Sequence, residues 1–386
     1  MRPLLRICLL LAWLALPATQ VVAKADDIAS WDNVARVVAI GDVHGDLDGF
    51  VQLLLDAKLI DQRNRWIGGD THLVQLGDLP DRGPDTRAIM DLLMKLEKPA
   101  RRAGGYVHLL IGNHEAMNII GDLRYVHPGE YAAFADRGSV RKQKRFLERS
   151  VEFIKQSRPQ EAWPVFDDAW RSAWLAQHPP GYVEHRSAWL PAGKYGRWVT
   201  DHNSIIRIND TLFVHGGLSG RYEALTIEQI NAQIRDELSA PERLAPNAMV
   251  DDPEGPLWYR GMVGGDDPAL RERVAQILAA RGARRIAVAH TPLVPAIVPR
   301  LDGQVITVDV GISDYYFGAR ACLEIDNNKL YALHRGVRLA LPSDDAGVLD
   351  YLRQAAALEP DPERLNQFIE KIAAMDVAAE AQAVAP

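Results

Sequence analysis

Short apolar runs that end at glycine-containing turns recur along this chain, and each run has the length of a strand. Runs this short, bounded by turn residues, are typical of strands that are buried on both faces. They occupy residues 37–40, 72–76, 106–111, 212–214, 285–289 and 305–309. The spacing at residues 47–57 and 85–102, between the first three runs, is helical. Alternation of strand and helix predicts an α/β layered core.

Two later segments have the pattern of antiparallel hairpins. Residues 204–214 and 323–333 each contain two apolar runs around a polar turn, at 209–211 and 326–329. Asn and Asp are common in such turns because they tolerate the tight backbone conformation that a hairpin requires. The second half of the chain is therefore predicted to add antiparallel pairs to the core.

Residues 121–200 interrupt the alternation of strand and helix, and their pattern predicts a helical insertion. They contain helical stretches at 130–156 and 165–177, a basic run at 141–145, and five of the nine tryptophans of the chain. We interpret this insertion as a cap. Its tryptophans indicate either the aromatic wall of a lid that gates a substrate site or a small satellite core. The histidines of the cap lack the spacing of metal ligands.

The predicted domain organisation follows from these patterns. Residues 26–340 are predicted to form one main domain that carries the cap as an insertion at about 121–200. Residues 341–386 have helical spacing that fades into an alanine-rich stretch, and they are predicted to be a helical C-terminal extension and tail.

The first residues have the features of a bacterial-type signal peptide. Arg2 and Arg6 precede an unbroken apolar stretch at residues 7–16, and Ala23 and Ala25 supply the small residues of a cleavage site. The apolar stretch is about half of the roughly 20 residues needed to cross a bilayer. We therefore predict a signal peptide at 1–25, export to the periplasm or the medium, and no stable membrane insertion after cleavage; an uncleaved anchor is the alternative.

Composition and charge narrow the choice of partners. The chain has 386 residues, of which 47% are hydrophobic and 25% charged, as in ordinary globular proteins. Its net charge of -7 argues against nucleic acid as a partner. Cleavage of the signal peptide leaves Cys322 as the remaining cysteine, so no internal disulfide is expected. Because Cys322 lies in a strand-like segment, it is predicted to be a buried structural thiol.

Chemically active residues are concentrated in five short blocks that each follow an apolar run. The blocks are at residues 41–46, 77–83, 112–115, 214–218 and 289–292. Ligands bind at the carboxyl edge of open α/β sheets, so we expect the polar side chains of these blocks to emerge together at the edge of one sheet. The expected set is Asp42, His44, Asp78, Asn113, His215 and His290. This mixture of carboxylate, imidazole and amide fits borderline to hard metals such as Mn, Fe or Zn, and it argues against a thiolate zinc site.

Each block alone is only a weak indication of a ligand site. The first block, for example, could be a turn in which Asp46 caps the following helix, and His215 alone could be a hydrogen-bonded histidine at the end of a strand. Five such blocks in this order, each after a predicted strand, are far more specific than any one of them.

The order GDxHG, GDxxDRG, GNHE, HGGL, H resembles the phosphoprotein phosphatase branch of the calcineurin-like metallophosphoesterases. Three longer strings, at residues 112–118, 121–126 and 256–261, are similar to the Shewanella-like protein phosphatases. The resemblance covers roughly residues 36–335. It implies a central β-sandwich flanked by helices, with a two-metal site at one end.

The resemblance also implies a role for each site residue. Asp42 and His44 would hold the first metal, and Asp78 would bridge both metals. The second metal would be held by Asn113, His215 and His290. Phosphoryl oxygens would be bound by Arg82, Asn113 and Arg260. His114, oriented by Asp81, would protonate the leaving oxygen. The cofactors would be two divalent transition metals, with Mn²⁺ favoured and Fe or Zn possible, and a hydroxide that bridges them would attack phosphorus directly.

The expected activity is therefore that of a metal-dependent phosphoric monoester hydrolase. Its substrates would be phosphorylated Tyr, Ser or Thr in proteins and peptides, or small aryl and alkyl phosphates. Hydrolysis of a pyrophosphate or a diadenosine polyphosphate at the same site is one alternative. A catalytically idle module that binds phosphopeptides is another, although such a module would not need the proton donor His114.

Overall fold

The structure is a computed structural model that describes residues 28–264 and 268–383. The predicted signal peptide at residues 1–25 lies outside these residues. Within them, the strands form two six-stranded sheets that are flanked by helices. The α/β fold expected from the alternating pattern is confirmed.

The first sheet contains the later parallel strands. In spatial order it consists of β1 (Ser30–Trp31), β5 (Ile205–Ile208), β6 (Thr211–Val214), β7 (Arg285–Val288), β9 (Val305–Thr307) and β8 (Val298–Arg300). Strands β6, β7 and β9 run parallel, and Leu212 pairs with Ile286. Their carboxyl ends therefore lie at one edge of this sheet.

The second sheet contains the N-terminal parallel strands and an antiparallel half. In spatial order it consists of β12 (Val337–Ala340), β11 (Lys329–His334), β10 (Ala321–Asp326), β2 (Arg36–Ile40), β3 (His72–Gln75) and β4 (Tyr106–Leu109). Strands β2, β3 and β4 are parallel, with Val37 opposite His72 and His72 opposite Tyr106. Their carboxyl ends also share an edge.

Both predicted hairpins are present, as the antiparallel pairs β5–β6 and β10–β11. Asn209, Asn327 and Asn328 have positive φ in the two turns, a conformation that asparagine tolerates. Cys322 is buried on β10, as predicted, and burial raises the pKa of its thiol. It is therefore a protonated core residue.

Helices outside residues 121–200 cover the sheets and extend the C-terminus. They are α1 (Leu47–Asp56), α2 (Thr86–Arg102), α3 (Asn113–Ile120), α9 (Ile227–Ser239), α10 (Pro268–Ala280), α11 (Val348–Ala356) and α12 (Glu363–Ala383). Asp46 caps α1 by accepting a hydrogen bond from the Gly49 N–H at 2.8 Å. None of the helices in the described residues has the length and apolar character needed to span a bilayer.

The segment interpreted as a cap is helical, but its first long helix is divided. The helices are α4 (Pro128–Phe134), α5 (Ser139–Ser157), α6 (Asp168–Gln177), α7 (Tyr182–Trp189) and α8 (Lys194–Thr200). The single helix predicted at 130–156 is wrong because residues 135–138 form a turn. There the Asp136 carboxylate accepts a hydrogen bond from the Gly138 N–H, and the Ser139 hydroxyl accepts one from the Asp136 N–H. Such local side-chain bonds compete with a continuous helix.

The tryptophans of this segment divide into two groups. Trp189 is fully buried and Trp198 nearly so, and both pack against the main core. Trp163, Trp170 and Trp174 are half-buried in the outer α5–α6 hairpin. The first group therefore joins the insertion to the core.

Candidate metal centre and active site

The prediction that the six candidate ligand residues share the edge of one sheet is wrong, because the strands that precede them are divided between two sheets, whose ends meet at one edge of the molecule. Asp42 and His44 follow β2, Asp78 follows β3, and Asn113 begins α3 directly after β4. The other sheet contributes the loops after β6 and β7, which carry His215 and His290. All six side chains are buried.

Asp78 lies at the centre of this group. Its Oδ2 is 3.8 Å from the Nε2 atoms of both His44 and His114, and its Oδ1 is 3.3 Å from His215 Nε2. The possible ligand atoms of Asp78, His44 and His114 lie within 4.8 Å of one another, as do those of Asp78, His215 and His290. The same carboxylate thus belongs to two clusters of three ligand groups.

The other two predicted ligands complete the arrangement. Asn113 Oδ1 lies 3.0 Å from His215 Nε2. Asp42 Oδ2 lies 3.8 Å from His44 Nε2, and Asp42 Oδ1 accepts a hydrogen bond from the His290 backbone N–H at 3.2 Å. The structure therefore brings together all six residues that the sequence pattern singles out as ligands.

The imidazoles are oriented as metal ligands. The Nδ1 atoms of His44 and His215 lie 3.0 and 2.8 Å from the carbonyl oxygens of Pro80 and Leu76. A carbonyl can only accept, so Nδ1 carries the proton and Nε2 presents its lone pair to the centre. His290 Nε2 is buried and has no hydrogen-bond partner in the part of the chain that the structure describes. These residues fit divalent metal ions.

Several site residues have left-handed backbone conformations. The φ angles of His44, Asp78, Asp81, Arg82 and His290 lie between 47° and 72°. Residues other than glycine seldom adopt this conformation, which costs of order 1–3 kcal/mol each. The loops are packed together tightly enough to hold it, since a Cβ on Gly112 would lie 2.3 Å from Asp78 Oδ1.

Glu115 is a buried carboxyl group to which the sequence reasoning assigned no role. It accepts hydrogen bonds from the backbone N–H groups of Asp78, Leu79 and Gly112, at 2.9, 2.8 and 2.9 Å. Burial raises its pKa to about 7. Glu115 thus holds the loop that carries Asp78. The sequence did contain a signal for this structural role. Glu115 is the third residue of α3, and an acidic side chain at that position commonly caps the start of a helix.

Asp309 is a second buried carboxyl group that the sequence reasoning missed. It lies in the loop after β9, and its side chain is within hydrogen-bonding reach of Asp42. Its Oδ1 accepts the Gly311 N–H at 3.0 Å, and burial raises its pKa to about 6. The one local indication that Asp309 could belong to the site was its position at the end of a predicted strand.

His114 and Asp81 form a buried pair beside Asp78. His114 Nδ1 hydrogen-bonds to Asp81 Oδ2, and Asp81 Oδ1 accepts a hydrogen bond from Asn118 Nδ2 at 3.0 Å. Burial lowers the pKa of His114, but the carboxylates of Asp78 and Asp81 outweigh it, so that this pKa is raised. His114 therefore holds a proton more readily than a free histidine does.

Two arginines and a set of tyrosines surround the opening of the site. The Arg82 guanidinium carbon lies 3.8 Å from the centre of the Tyr125 ring, and Arg82 Nη1 lies 3.3 Å from the Tyr315 hydroxyl. Arg260 Nη1 donates to the carbonyl of His290 at 2.7 Å. The Tyr316 ring is 5.4 Å from that of His44. Cationic donors and aromatic faces therefore lie next to the ligand cluster.

Comparison with known proteins places this arrangement in a family. The family model described as calcineurin-like phosphoesterase matches residues 35–293. The chain belongs to the calcineurin-like phosphoesterase family. As a member of this family it is a metal-dependent phosphoester hydrolase, and the enzyme class expected from the motif order is confirmed.

Two relatives bear on the predicted similarity to the Shewanella-like protein phosphatases. The chain is 32% identical over 293 residues to Shewanella-like protein phosphatase 2 of Arabidopsis thaliana, covering 73% of each chain. It is 30% identical over 313 residues to an uncharacterized protein of Schizosaccharomyces pombe, covering 78% of this chain and 81% of the relative. The predicted similarity to Shewanella-like protein phosphatases is therefore confirmed.

A solved structure has a similar fold. It is the cold-active protein-tyrosine phosphatase of a psychrophilic Shewanella species, which is 28% identical to this chain. The TM-score is 0.63, and the match covers 83% of this chain and 85% of the other. Together with the family model, this likeness confirms the predicted calcineurin-like architecture.

Metal binding by this phosphoesterase is expected to weaken as the pH falls below about 6, the value to which burial raises the pKa of Asp309. Burial also raises the pKa of Asp42, whereas it lowers those of His44 and His290 to about 3 and about 2. At Asp42, His44 and His290, a cation therefore competes with a proton for the carboxylate and not for the two imidazoles. Apparent affinity should fall about tenfold per pH unit for each proton displaced.

Titration calorimetry in buffers of different ionisation enthalpy measures this proton release. It should be done with Mn²⁺ at pH values below and above the pKa of Asp309. Affinity that does not change across that range, with no proton released, would contradict the expectation.

Proposed function

We propose that this protein is a dinuclear metal-dependent phosphomonoesterase that prefers aryl phosphates, phosphotyrosine in peptides among them. The observation that carries the proposal is the position of Asp78, which belongs to two clusters of buried ligand atoms and lies against the His114–Asp81 pair. A carboxylate in this position is suited to bridging two cations about 3.5–4 Å apart. A site that only bound phosphate would not need a proton donor beside it.

The ligand residues would hold two divalent ions, with Mn²⁺ favoured and Fe or Zn as alternatives. Bound there, such ions would neutralise phosphoryl oxygens and lower the pKa of a water molecule toward neutrality. Asp42 and His44 belong to one side of Asp78, and His215 and His290 to the other. Asn113 would serve both a metal and a phosphoryl oxygen.

The remaining residues bind the phosphoryl group and move a proton. Arg82 and Arg260 place guanidinium groups at the opening, where they would pair with phosphoryl oxygens and stabilise the charge that develops on them. His114 would give its Nε2 proton to the leaving oxygen. The bond between its Nδ1 and Asp81 fixes the ring and supports the protonated form.

Aromatic side chains around the opening support a preference for aryl phosphates. Tyr125, Tyr315 and Tyr316 all have rings next to Arg82 or His44, and Tyr315 is 59% exposed. An aromatic leaving group could pack against these rings, at about 0.5–1.5 kcal/mol for each good aromatic pair. The similar solved structure is named as a protein-tyrosine phosphatase, which supports phosphotyrosine over phosphoserine and phosphothreonine as the preferred residue.

A panel of substrates tests the proposal. Enzyme stripped with EDTA and then reloaded with Mn²⁺ should hydrolyse p-nitrophenyl phosphate and a phosphotyrosine peptide faster than the matched phosphoserine peptide. A diadenosine polyphosphate should be the poorest substrate. Metal-independent turnover, or a faster reaction with the dinucleotide than with any monoester, would overturn the proposal.

Replacement of Tyr315 by alanine should reduce the preference for aryl phosphates. We expect kcat/KM for the phosphotyrosine peptide to fall about two- to tenfold relative to the phosphoserine peptide, as one aromatic contact is lost. Tyr315→Phe keeps the ring and is the matched control. If both variants lose the same amount, the hydroxyl that lies near Arg82 is responsible and the ring is not.

We further propose that the enzyme is exported and acts on phosphomonoesters in the periplasm or the medium. The support is the N-terminal pattern of two arginines, a short apolar stretch and small residues before position 26. N-terminal sequencing of the protein from the periplasm should find a chain that begins near Asp26. A full-length chain in the cytoplasmic fraction would contradict export.

A further inference from the structure

One glutamate of the helical insertion contacts the backbone beside the catalytic pair. Glu130 lies in the first turn of α4 and is fully buried. Its Oε1 accepts a hydrogen bond from the backbone N–H of Asp81 at 2.8 Å. A buried N–H without an acceptor is costly, so this contact stabilises the backbone at Asp81.

The contact falls where the backbone is strained. Asp81 and Arg82 have φ angles of 72° and 67°, and these two residues turn the chain so that Asp81 lies against His114. The next N–H, that of Arg82, donates to the carbonyl of Tyr125 at 3.1 Å. Both amides of the turn are therefore held by residues 121–134, which start the insertion.

A second set of contacts runs from α7 to the Asp81 side chain. Arg186 Nη1 donates to the carbonyl of Asn118, whose own Nδ2 donates to Asp81 Oδ1 and to the His114 carbonyl, both at 3.0 Å. The insertion thus contacts Asp81 directly at the backbone and, through Asn118, at the carboxylate. Neither route involves a group that could bind substrate.

We propose that Glu130 is a positioning residue for the catalytic pair, and that the insertion serves as a fixed support for Asp81 and His114 and not as a gate. Glu130 acts through Asp81, because its carboxyl oxygen accepts the hydrogen bond from the Asp81 N–H and so stabilises the left-handed backbone conformation there. This inference rests on the proposed role of His114 as proton donor. A small displacement of such a pair is costly because proton transfer depends on alignment.

The surroundings of Glu130 favour a carboxyl or an amide group at this position. Glu130 Oε2 makes no hydrogen bond of good geometry among the described residues, although the Thr86 hydroxyl lies near the carboxyl group, and the fully buried His185 places its Nε2 3.6 Å from Oε2. Both nitrogens of His185 are likewise without partners within that part of the chain. A glutamine keeps the acceptor that Asp81 requires and can donate toward His185.

The experiment compares p-nitrophenyl phosphate, whose leaving group departs without a proton, with a phosphoserine peptide, whose alkoxide needs one. Measurements use full-length Mn²⁺-loaded enzyme, with metal content and melting temperature recorded for every variant. Glu130→Ala should lower kcat on the phosphoserine peptide about tenfold or more relative to p-nitrophenyl phosphate. KM and metal content should change little. Glu130→Gln should restore the wild-type ratio of the two rates.

Two further variants serve as a matched control and as a substitute for Glu130→Ala. Glu184→Ala removes another glutamate of the insertion, one that accepts from Ser139 and Lys142 and does not contact Asp81, so its rate ratio should equal that of the wild type. Glu130→Asp withdraws the carboxyl group by one methylene, and it replaces Glu130→Ala if that variant does not fold.

Several results would overturn the inference. Equal losses on both substrates, or a Glu130→Gln variant as impaired as Glu130→Ala, would reject it. So would failure of both shortened variants to fold while Glu130→Gln is normal, since Glu130 would then act on stability alone. Failure of the proposed function looks different, because wild-type enzyme would show no metal-dependent turnover or His114→Asn would show no selective loss.

Discussion

Replacement of Asp78 by asparagine is expected to abolish tight metal binding and to lower phosphatase activity about a thousandfold or more, since metal ions supply several kcal/mol of transition-state stabilisation. Asp78 is the one residue in both ligand clusters, and its carboxylate oxygens lie 3.3–3.8 Å from three imidazoles. A neutral amide compensates the charge of two cations poorly. Elemental analysis after dialysis, together with kcat on p-nitrophenyl phosphate, measures both effects.

The matched control is Asp48→Asn, which neutralises an exposed aspartate in the first turn of α1. Its metal content and activity should equal those of the wild type. An Asp78→Asn enzyme that keeps two ions and full activity would show that the bridge lies elsewhere. A folded variant that loses metal but keeps its rate would show that the metals are not part of catalysis.

Replacement of His114 by asparagine is expected to slow the hydrolysis of alkyl phosphates about 10²- to 10⁴-fold, the usual contribution of a general acid. p-Nitrophenyl phosphate should be affected much less, because p-nitrophenolate leaves without protonation. The reason for assigning this role to His114 is its position between Asp78 and Asp81, whose carboxylates raise its pKa against the effect of burial. Kinetics on a phosphoserine peptide and on p-nitrophenyl phosphate give the comparison.

His127→Asn is the control for this variant. His127 caps α4 by accepting a hydrogen bond from the Gly129 N–H, and asparagine is also a good cap, so the fold should be retained. Equal losses on both substrates in His114→Asn would argue that His114 binds metal and does not donate a proton. His114 Nε2 belongs to one of the two ligand clusters, so the comparison of the two substrates is needed to distinguish metal binding from proton donation.

The positions of the metal-ligand candidates were predictable from sequence because each one directly follows a strand. Parallel strands align their carboxyl ends, so Asp42, Asp78 and Asn113 had to emerge at one edge of a sheet. His215 and His290 follow the parallel strands of the other sheet for the same reason. What the pattern did not show is that the two edges face each other, since that depends on how the sheets pack.

The contacts around these residues were less predictable because they join distant segments. Glu130 and Asp81 are 49 positions apart, and no local periodicity connects them. Asp309 appeared only as the end of an apolar run, and the break at residues 135–138 depends on one aspartate side chain. Buried polar contacts of this kind follow from tertiary structure, whereas strand and helix patterns follow from local spacing.

The most direct test of the central claim is anomalous X-ray diffraction from crystals of the Mn²⁺-loaded enzyme, recorded at the manganese absorption edge. We expect two peaks about 3.5–4 Å apart with the Asp78 carboxylate between them, one beside Asp42 and His44 and the other beside His215 and His290. A single peak, or none in the presence of excess Mn²⁺, would contradict a dinuclear centre shared through Asp78.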